Sequence, residues 1–235
     1  MRIHGRAKKT AFYARLLLTR VVLEHRYDAP PEFTAHFLDQ LGLSWELWDD
    51  DRIPYIPSPL GSLGRILRPR DVSPEDVFID LGCGAGRVVL EAARRYRFRR
   101  VIGVDFVPRL TDLARETVDR NRDRLKCREI DLVTQDVVDY ELPDDVTVTY
   151  LYDPFRGQVF DTVIAKLIAS VDRNPRRLRL IYAVPEEAQR LEATGRVRLV
   201  RRGRRMVRRW LPSKELALYE IVPASSVVDR VDEAI

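Results

Sequence analysis

The residues best suited to chemistry lie between Val77 and Arg87, VFIDLGCGAGR. A mostly apolar run ending in Asp80 reads as a buried strand. The alternating glycines Gly82, Gly84 and Gly86 read as a tight turn, and the alanine-rich residues after them as a helix. Glycines let the main chain turn sharply and approach a ligand closely, while the first turn of the next helix offers unpaired N–H groups to an anion. A small polar ligand here would rest on backbone. Spacing narrows its identity: the dinucleotide fingerprint G-x-G-x-x-G requires glycine at position 87, which is Arg87. No Gly-Lys-Ser/Thr follows, so the phosphate loop fails too.

Three further acids end strand-like runs. VIGVD closes on Asp105, EIDLVTQD on Asp136, and VTVTYLYDPF delivers Asp153-Pro154-Phe155. A carboxylate at the end of the second strand of a parallel sheet can accept ribose hydroxyls. Taken alone, each has a plain structural reading: a solvent-facing strand end for Asp105, and a turn cap before a helix-starting proline for Asp153.

With Asp80 ahead of it, D-L-G-C-G-A-G-R resembles the first motif of the class I S-adenosylmethionine-dependent methyltransferases. Y-I-P-S-P at 55–59 is similar to a Y-x-P-(S/T)-P segment upstream of that motif in a group of small bacterial methyltransferases. D-P-F resembles that group's N-P-F, with aspartate for asparagine. The resemblance spans Val77 to Val222 and implies an α/β fold with a seven-stranded sheet of order 3-2-1-4-5-7-6. It also implies S-adenosylmethionine as cofactor, lying across the carboxyl ends of the first three strands. Tyr55 would cover its methionine end, and Asp80, Gly82, Cys83, Gly84 and Gly86 would form the turn beneath it. Asp105 would meet the ribose, and Phe106 beside it would also contact the cofactor. Asp136 would accept from the adenine amino group, and the Val137 N–H would meet the ring. The methyl group would point toward Asp153, with Asp153 and Phe155 as the candidate catalytic pair. Amino-group methyltransferases commonly carry (D/N/S)-P-P-(Y/F) here, so the single proline departs from their pattern. A carboxylate can orient an amine N–H and stabilise charge developing on nitrogen, but would repel an oxyanion. Nitrogen is therefore expected over oxygen.

The remaining chain must position these residues. Residues 7–26 form an expected amphipathic helix, and Phe33, Phe37, Leu38 and Leu41 signal a second, stopped by Gly42. An aromatic and acidic loop with Trp45, Trp48 and Tyr55 follows, then a helix from Leu60 to Leu67. Residues 1–70 are thus expected as a helical cap, 71–222 as the cofactor-binding domain and 223–235 as a tail. From Val77 strands alternate with helices at Arg87–Tyr96, Pro108–Leu125, 156–171 and Pro185–Thr194, the pattern of a parallel sheet covered on both faces. Two strands near the C-terminus are expected to pair antiparallel.

Composition sets the outer limits. At 235 residues and 27.3 kDa, with 45% apolar and 33% charged residues, the chain suits one packed domain with an extension. No apolar run is long enough to span a membrane, and Arg15 precedes and Arg20 interrupts LLLTRVVL, so a cytoplasmic, bacterial protein is expected. Cys83 and Cys127 have no metal-ligand spacing. A net charge of +5 permits attraction to nucleic acid, yet nearly all of it is arginine, as in proteins of GC-rich genomes. The eight arginines from Arg196 to Arg209 would alternate between two faces of paired strands and form no stripe unless the pairing is irregular. A small-molecule, peptide or protein substrate is therefore preferred. RNA or DNA, or a protein that binds the cofactor without transferring methyl groups, is the alternative.

Overall fold

The computed structural model describes residues 43–44, 49–59, 61–203 and 215–224. The two cap helices, Trp45, Trp48, Arg204, Arg205, Arg208, Arg209 and the tail from residue 225 lie outside the described residues.

Seven strands form one sheet: β1 Val77–Leu81, β2 Arg100–Asp105, β3 Glu129–Thr134, β4 Val148–Tyr152, β5 Leu178–Ala183, β6 Val197–Arg202 and β7 Leu216–Ile221. Their order is β3-β2-β1-β4-β5-β7-β6, as the resemblance implies. The first five run parallel, and β7 inserts antiparallel between β5 and β6. Helices α1 Arg87–Arg95, α2 Pro108–Arg120, α3 Gly157–Arg173 and α4 Ala188–Ala193 alternate with the strands.

Side chains of a strand point alternately to its two faces, so a strand buried on both sides must be apolar throughout. β1 meets that demand at Val77, Phe78, Ile79 and Leu81, with the buried Asp80 as its one exception. Phe78 joins a cluster with Val88, Ala92, Leu110 and Leu113 of α1 and α2, whereas Ile79 packs with Phe160, Val163 and Leu167 of α3. The result is a three-layer sandwich with the carboxyl ends of β1–β5 along one edge.

Three expected elements come out differently. Of the helix expected from Leu60 to Leu67, Leu60 lies outside the described residues and the rest holds one short 3-10 turn, Leu63–Arg65, with a second, Pro69–Asp71, beyond it. Gly61, at φ +72°, and Gly64 deny the segment a continuous helix, and the Glu91 carboxylate accepts the Gly64 N–H instead. The second core helix ends at Arg120, where the buried Asn121 amide donates back to the Thr117 carbonyl. The helix expected from Pro185 begins only at Ala188, because Val184 takes a positive φ of 54°.

At the sheet's far edge, β6 pairs with β7 through a bulge between Leu199 and Arg201. This irregularity turns Arg198 and Arg201 to one face, opposite Glu220 and Leu218. Each meets an acid there, Arg198 with Glu220 and Arg201 with Asp71. The described part of the arginine run is consequently charge-matched.

Candidate active site

A sharp turn follows β1 because Gly82 and Cys83 both donate their N–H to the Val104 carbonyl of β2, at 2.9 and 3.0 Å. The chain then runs directly into α1. Gly82 has φ +80°, and a Cβ there would lie 2.7 Å from Pro154, so only glycine lets the turn sit against the β4 loop. At Gly84, φ is +52° and an added Cβ would strike the Tyr55 ring. Gly86, by contrast, packs against Ala114 of α2, which makes it a helix-packing residue and not part of the cleft wall.

This turn floors a cleft of about 940 Å³, part of it open solvent. Tyr55, Asp80, Gly82, Cys83, Asp105, Phe106, Asp136, Val137, Asp153 and Phe155 all line it, so ten of the twelve expected site residues meet in one place. Gly84, which packs against the Tyr55 ring, and Gly86, which packs against Ala114, do not line it.

Asp105 is the best-anchored acid. One carboxylate oxygen accepts the Gly84 N–H at 2.8 Å and the other the Val107 N–H at 3.0 Å. Burial nevertheless pushes its pKa up to about 6, against those two backbone bonds. Asp80 is raised well above the usual carboxylate range, by burial first and then by the nearby Asp105 charge. With two N–H donors on its carboxylate, Asp105 is the more readily ionised of the pair. At the end of β3, Asp136 accepts the Val138 N–H at 2.9 Å and pairs with Arg52 at 2.7 Å.

The aromatic loop forms the opposite wall. Ile53 donates its N–H to the Pro154 carbonyl at 3.0 Å, Arg156 donates to the Asp51 carbonyl at 2.7 Å, and Arg52 bridges Phe155. Gly157, at φ +49°, allows Asp51 to approach and accept the Gln158 N–H. Residues 51–55 are thereby fastened to the segment after β4. Tyr55 is held over the glycine turn, and its buried phenol oxygen lacks a well-formed hydrogen bond among the described residues.

At the end of β4, Asp153 takes a positive φ of 47°, an uncommon conformation for which aspartate is among the more tolerant residues. Arg156 grips its carboxylate with both terminal nitrogens. Sequence reasoning missed three cleft-associated arginines, Arg52, Arg87 and Arg156, along with Tyr152. In a chain this rich in arginine, only position in space separates them from surface charge.

Residues 78–184 match the family model described as a methyltransferase domain. The match runs from β1 to the end of β5, the part of the sheet that builds the cleft, and takes in a little under half of the chain. Over 53 residues the chain is 38% identical to a protein-lysine N-methyltransferase of Saccharolobus islandicus; the match takes in 23% of this chain and about a third, 33%, of that protein. A SAM-dependent methyltransferase from Methanosarcina mazei shares the fold, with a TM-score of 0.51 and 13% identity over 65% of this chain and 95% of its own. An RNA methyltransferase from Salinibacter ruber, solved with S-adenosyl-L-homocysteine, aligns over 71% of this chain and 94% of its own, at 20% identity and a TM-score of 0.48. The chain is a class I methyltransferase in fold, and S-adenosylmethionine is the cofactor of that class. Its residues fit the group: a carboxylate fixed at the end of β2, an orphaned phenol and a turn stripped of side chains face one cleft.

Proposed function

We propose that the protein transfers a methyl group from S-adenosylmethionine to an amine nitrogen, with a lysine side chain of a protein or peptide as the preferred acceptor. The observation that carries this reading is the placement of Asp153 and Phe155 on the same cleft as Asp105 and the glycine turn. The local similarity to a protein-lysine N-methyltransferase supports the acceptor class.

When bound, S-adenosylmethionine supplies a methyl group on a sulfonium, a leaving group already activated for in-line displacement. What the chain contributes is binding, orientation and exclusion of water, effects that can reach ~7 to 11 kcal/mol in favourable cases. Asp105 holds a ribose through lone pairs that its two backbone bonds leave available. Asp136 and the Val137 N–H hold the adenine. Tyr55 closes the cleft above the turn.

At the acceptor end, the Asp153 carboxylate accepts an N–H of the incoming amine and fixes its direction. Arg156 holds that carboxylate in one rotamer. The buried Phe155 ring forms the pocket wall.

Purified protein incubated with methyl-labelled cofactor and cell lysate, then separated into protein, RNA and metabolite fractions, tests the proposal. Label is expected in protein, on lysine nitrogen. Label confined to RNA or metabolites, or on oxygen, overturns the acceptor assignment. Cofactor binding with no product in any fraction favours a non-catalytic binding protein.

A further inference from the structure

A second cavity, of about 580 Å³ with part of it open solvent, lies near the start of β5. Among the described residues, none lines both this cavity and the cleft. Arg179 of β5 lies in its wall, four residues before Ala183 at the cleft end of that strand, roughly 13 Å away. Leu67 and Leu218 close its inner side and belong to the apolar cluster beneath α1 and α2. Around them stand Arg70, Arg177, Arg179 and Arg201, with Asp71 as the lone carboxylate of the lining. Residues opposed across an antiparallel ladder share a face, so Glu220, paired with Arg179, brings its other neighbour Arg198 to the same side.

The acids here are outnumbered. Arg201 pairs with Asp71 at 2.7 Å and donates to the Ile66 carbonyl. Arg179 pairs with Asp76 at 2.8 Å and donates to the Asp71 carbonyl. Arg177 lies 3.2 Å from Glu220 and shares that acid with Arg198. The Arg68 charge also acts on Asp71. Arg70 is exposed and has no ion pair or hydrogen bond among the described residues. Asp71, Asp76 and Glu220 thus serve six guanidinium groups, and the surplus of like charge repels itself unless an anion offsets it. Two of these groups are also short of acceptors. The Arg179 side chain is only 6% exposed, yet its Nε–H has no partner among the described residues, and the buried Nε–H of Arg201 has none either. Buried donors left unpaired on a guanidinium are costly.

We propose that this cavity binds the diphosphate group of a small phosphorylated ligand, with Arg70 and Arg177 as its outer contacts and Arg179 and Arg201 behind them. Guanidinium forks match phosphoryl oxygens two at a time, and the surplus calls for more than one negative charge. A carboxylate, with a single charge, leaves most of it standing. The inner wall of Leu67 and Leu218 suits a compact ligand, whereas single-stranded nucleic acid is tracked along an open basic groove with aromatic platforms, and no aromatic residue is among the described lining. The site is independent of the methyl acceptor and of the cofactor cleft.

Calorimetric titration of the full chain with pyrophosphate at about 0.15 M salt, with and without saturating S-adenosylhomocysteine, tests the site. One equivalent is expected to bind with the same affinity in both cases, and the thermal midpoint should rise with pyrophosphate concentration. Arg70→Gln and Arg177→Gln, both at exposed positions, should each weaken binding about tenfold or more. Arg97→Gln, an exposed arginine outside the cavity, should leave it unchanged. Absence of binding overturns the proposal. So does displacement of pyrophosphate by S-adenosylhomocysteine, which would place the anion in the cofactor cleft. Equal losses in Arg70→Gln, Arg177→Gln and Arg97→Gln would reduce the effect to net charge and overturn it as well. A single-stranded RNA oligonucleotide without terminal phosphates is expected not to displace pyrophosphate; displacement that weakens steeply with salt would assign the cluster to a nucleic-acid backbone instead.

Discussion

Asp105→Ala separates the structural and ligand-binding work of one carboxylate. The side chain satisfies two buried N–H groups, those of Gly84 and Val107. Removing it orphans both, at about 1–3 kcal/mol each, or ~2–6 kcal/mol together, a large share of a typical domain stability of about 5–15 kcal/mol. The glycine turn is one of the two segments released, so the variant should lose stability as well as affinity. Loss of a charged acceptor for the ribose should weaken S-adenosylhomocysteine binding by roughly 10- to 150-fold, from ~1.5–3 kcal/mol. The pH dependence adds a second test. With its pKa raised to about 6, Asp105 is protonated below that value. Ribose hydroxyls donate to the ionised form, so wild-type affinity should fall as pH drops through about 6, at most roughly tenfold per unit. Folding has the opposite sign. The folded state holds this proton more tightly than an unfolded chain with a pKa of 3.8, so the associated stability is present below that value and is lost as pH rises through about 6. Calorimetry on the folded fraction between pH 5 and pH 8, for wild type, Asp105→Ala and Asp105→Asn, checks all of this. Wild-type affinity in the alanine variant, or an unchanged pH profile in both variants, would refute the reasoning.

Gly84→Val must adopt a positive φ with a branched side chain and displace the Tyr55 ring. It should lose at least about tenfold in cofactor affinity in the same titration while circular dichroism stays native. Once an acceptor is known, Asp153→Ala should lower kcat by roughly tenfold or more, about 1.4 kcal/mol, with cofactor affinity nearly unchanged; full kcat would remove Asp153 from the reaction. Arg156→Met should reproduce part of that loss, because the Asp153 rotamer is no longer held. The buried Cys83 thiol is pushed up, first by burial and then by Asp105 and Asp80, which argues against a thiolate nucleophile. Cys83→Ala should therefore remain active, and complete inactivation with intact cofactor binding would point to cysteine chemistry.

Much of this architecture was legible in the sequence because hydrophobic period and strand-end chemistry are local signals. β1 is apolar at successive positions since both its faces are covered, and the acids after it mark where strands stop. The antiparallel β6–β7 pair was equally readable. Less visible were contacts that fold at a distance. Nothing adjacent to Arg52 announces that it reaches Asp136, a separation of 84 residues. The staple between Asp51 and the Arg156–Gln158 backbone is likewise set by tertiary placement. The segment from Gly61 to Leu67 misled because its leucines have helical spacing, while Gly61 and Gly64 make short turns more favourable than a continuous helix.

The bulged edge of β6 bears on how the molecule avoids itself. An outermost strand offers unpaired N–H and C=O groups to any passing chain, and Leu199 and Val200 are exposed there, which would make this edge adhesive. Arg198 and Arg202 bracket those two side chains, each bound to an acid of β7 or the residue beside it. A second strand docking on this side would have to bury guanidinium groups already committed to Glu220 and Glu215, across a backbone whose regular spacing the bulge interrupts. The bulge and the ion-paired arginines of β6 thus guard this edge of the sheet against the addition of a further strand.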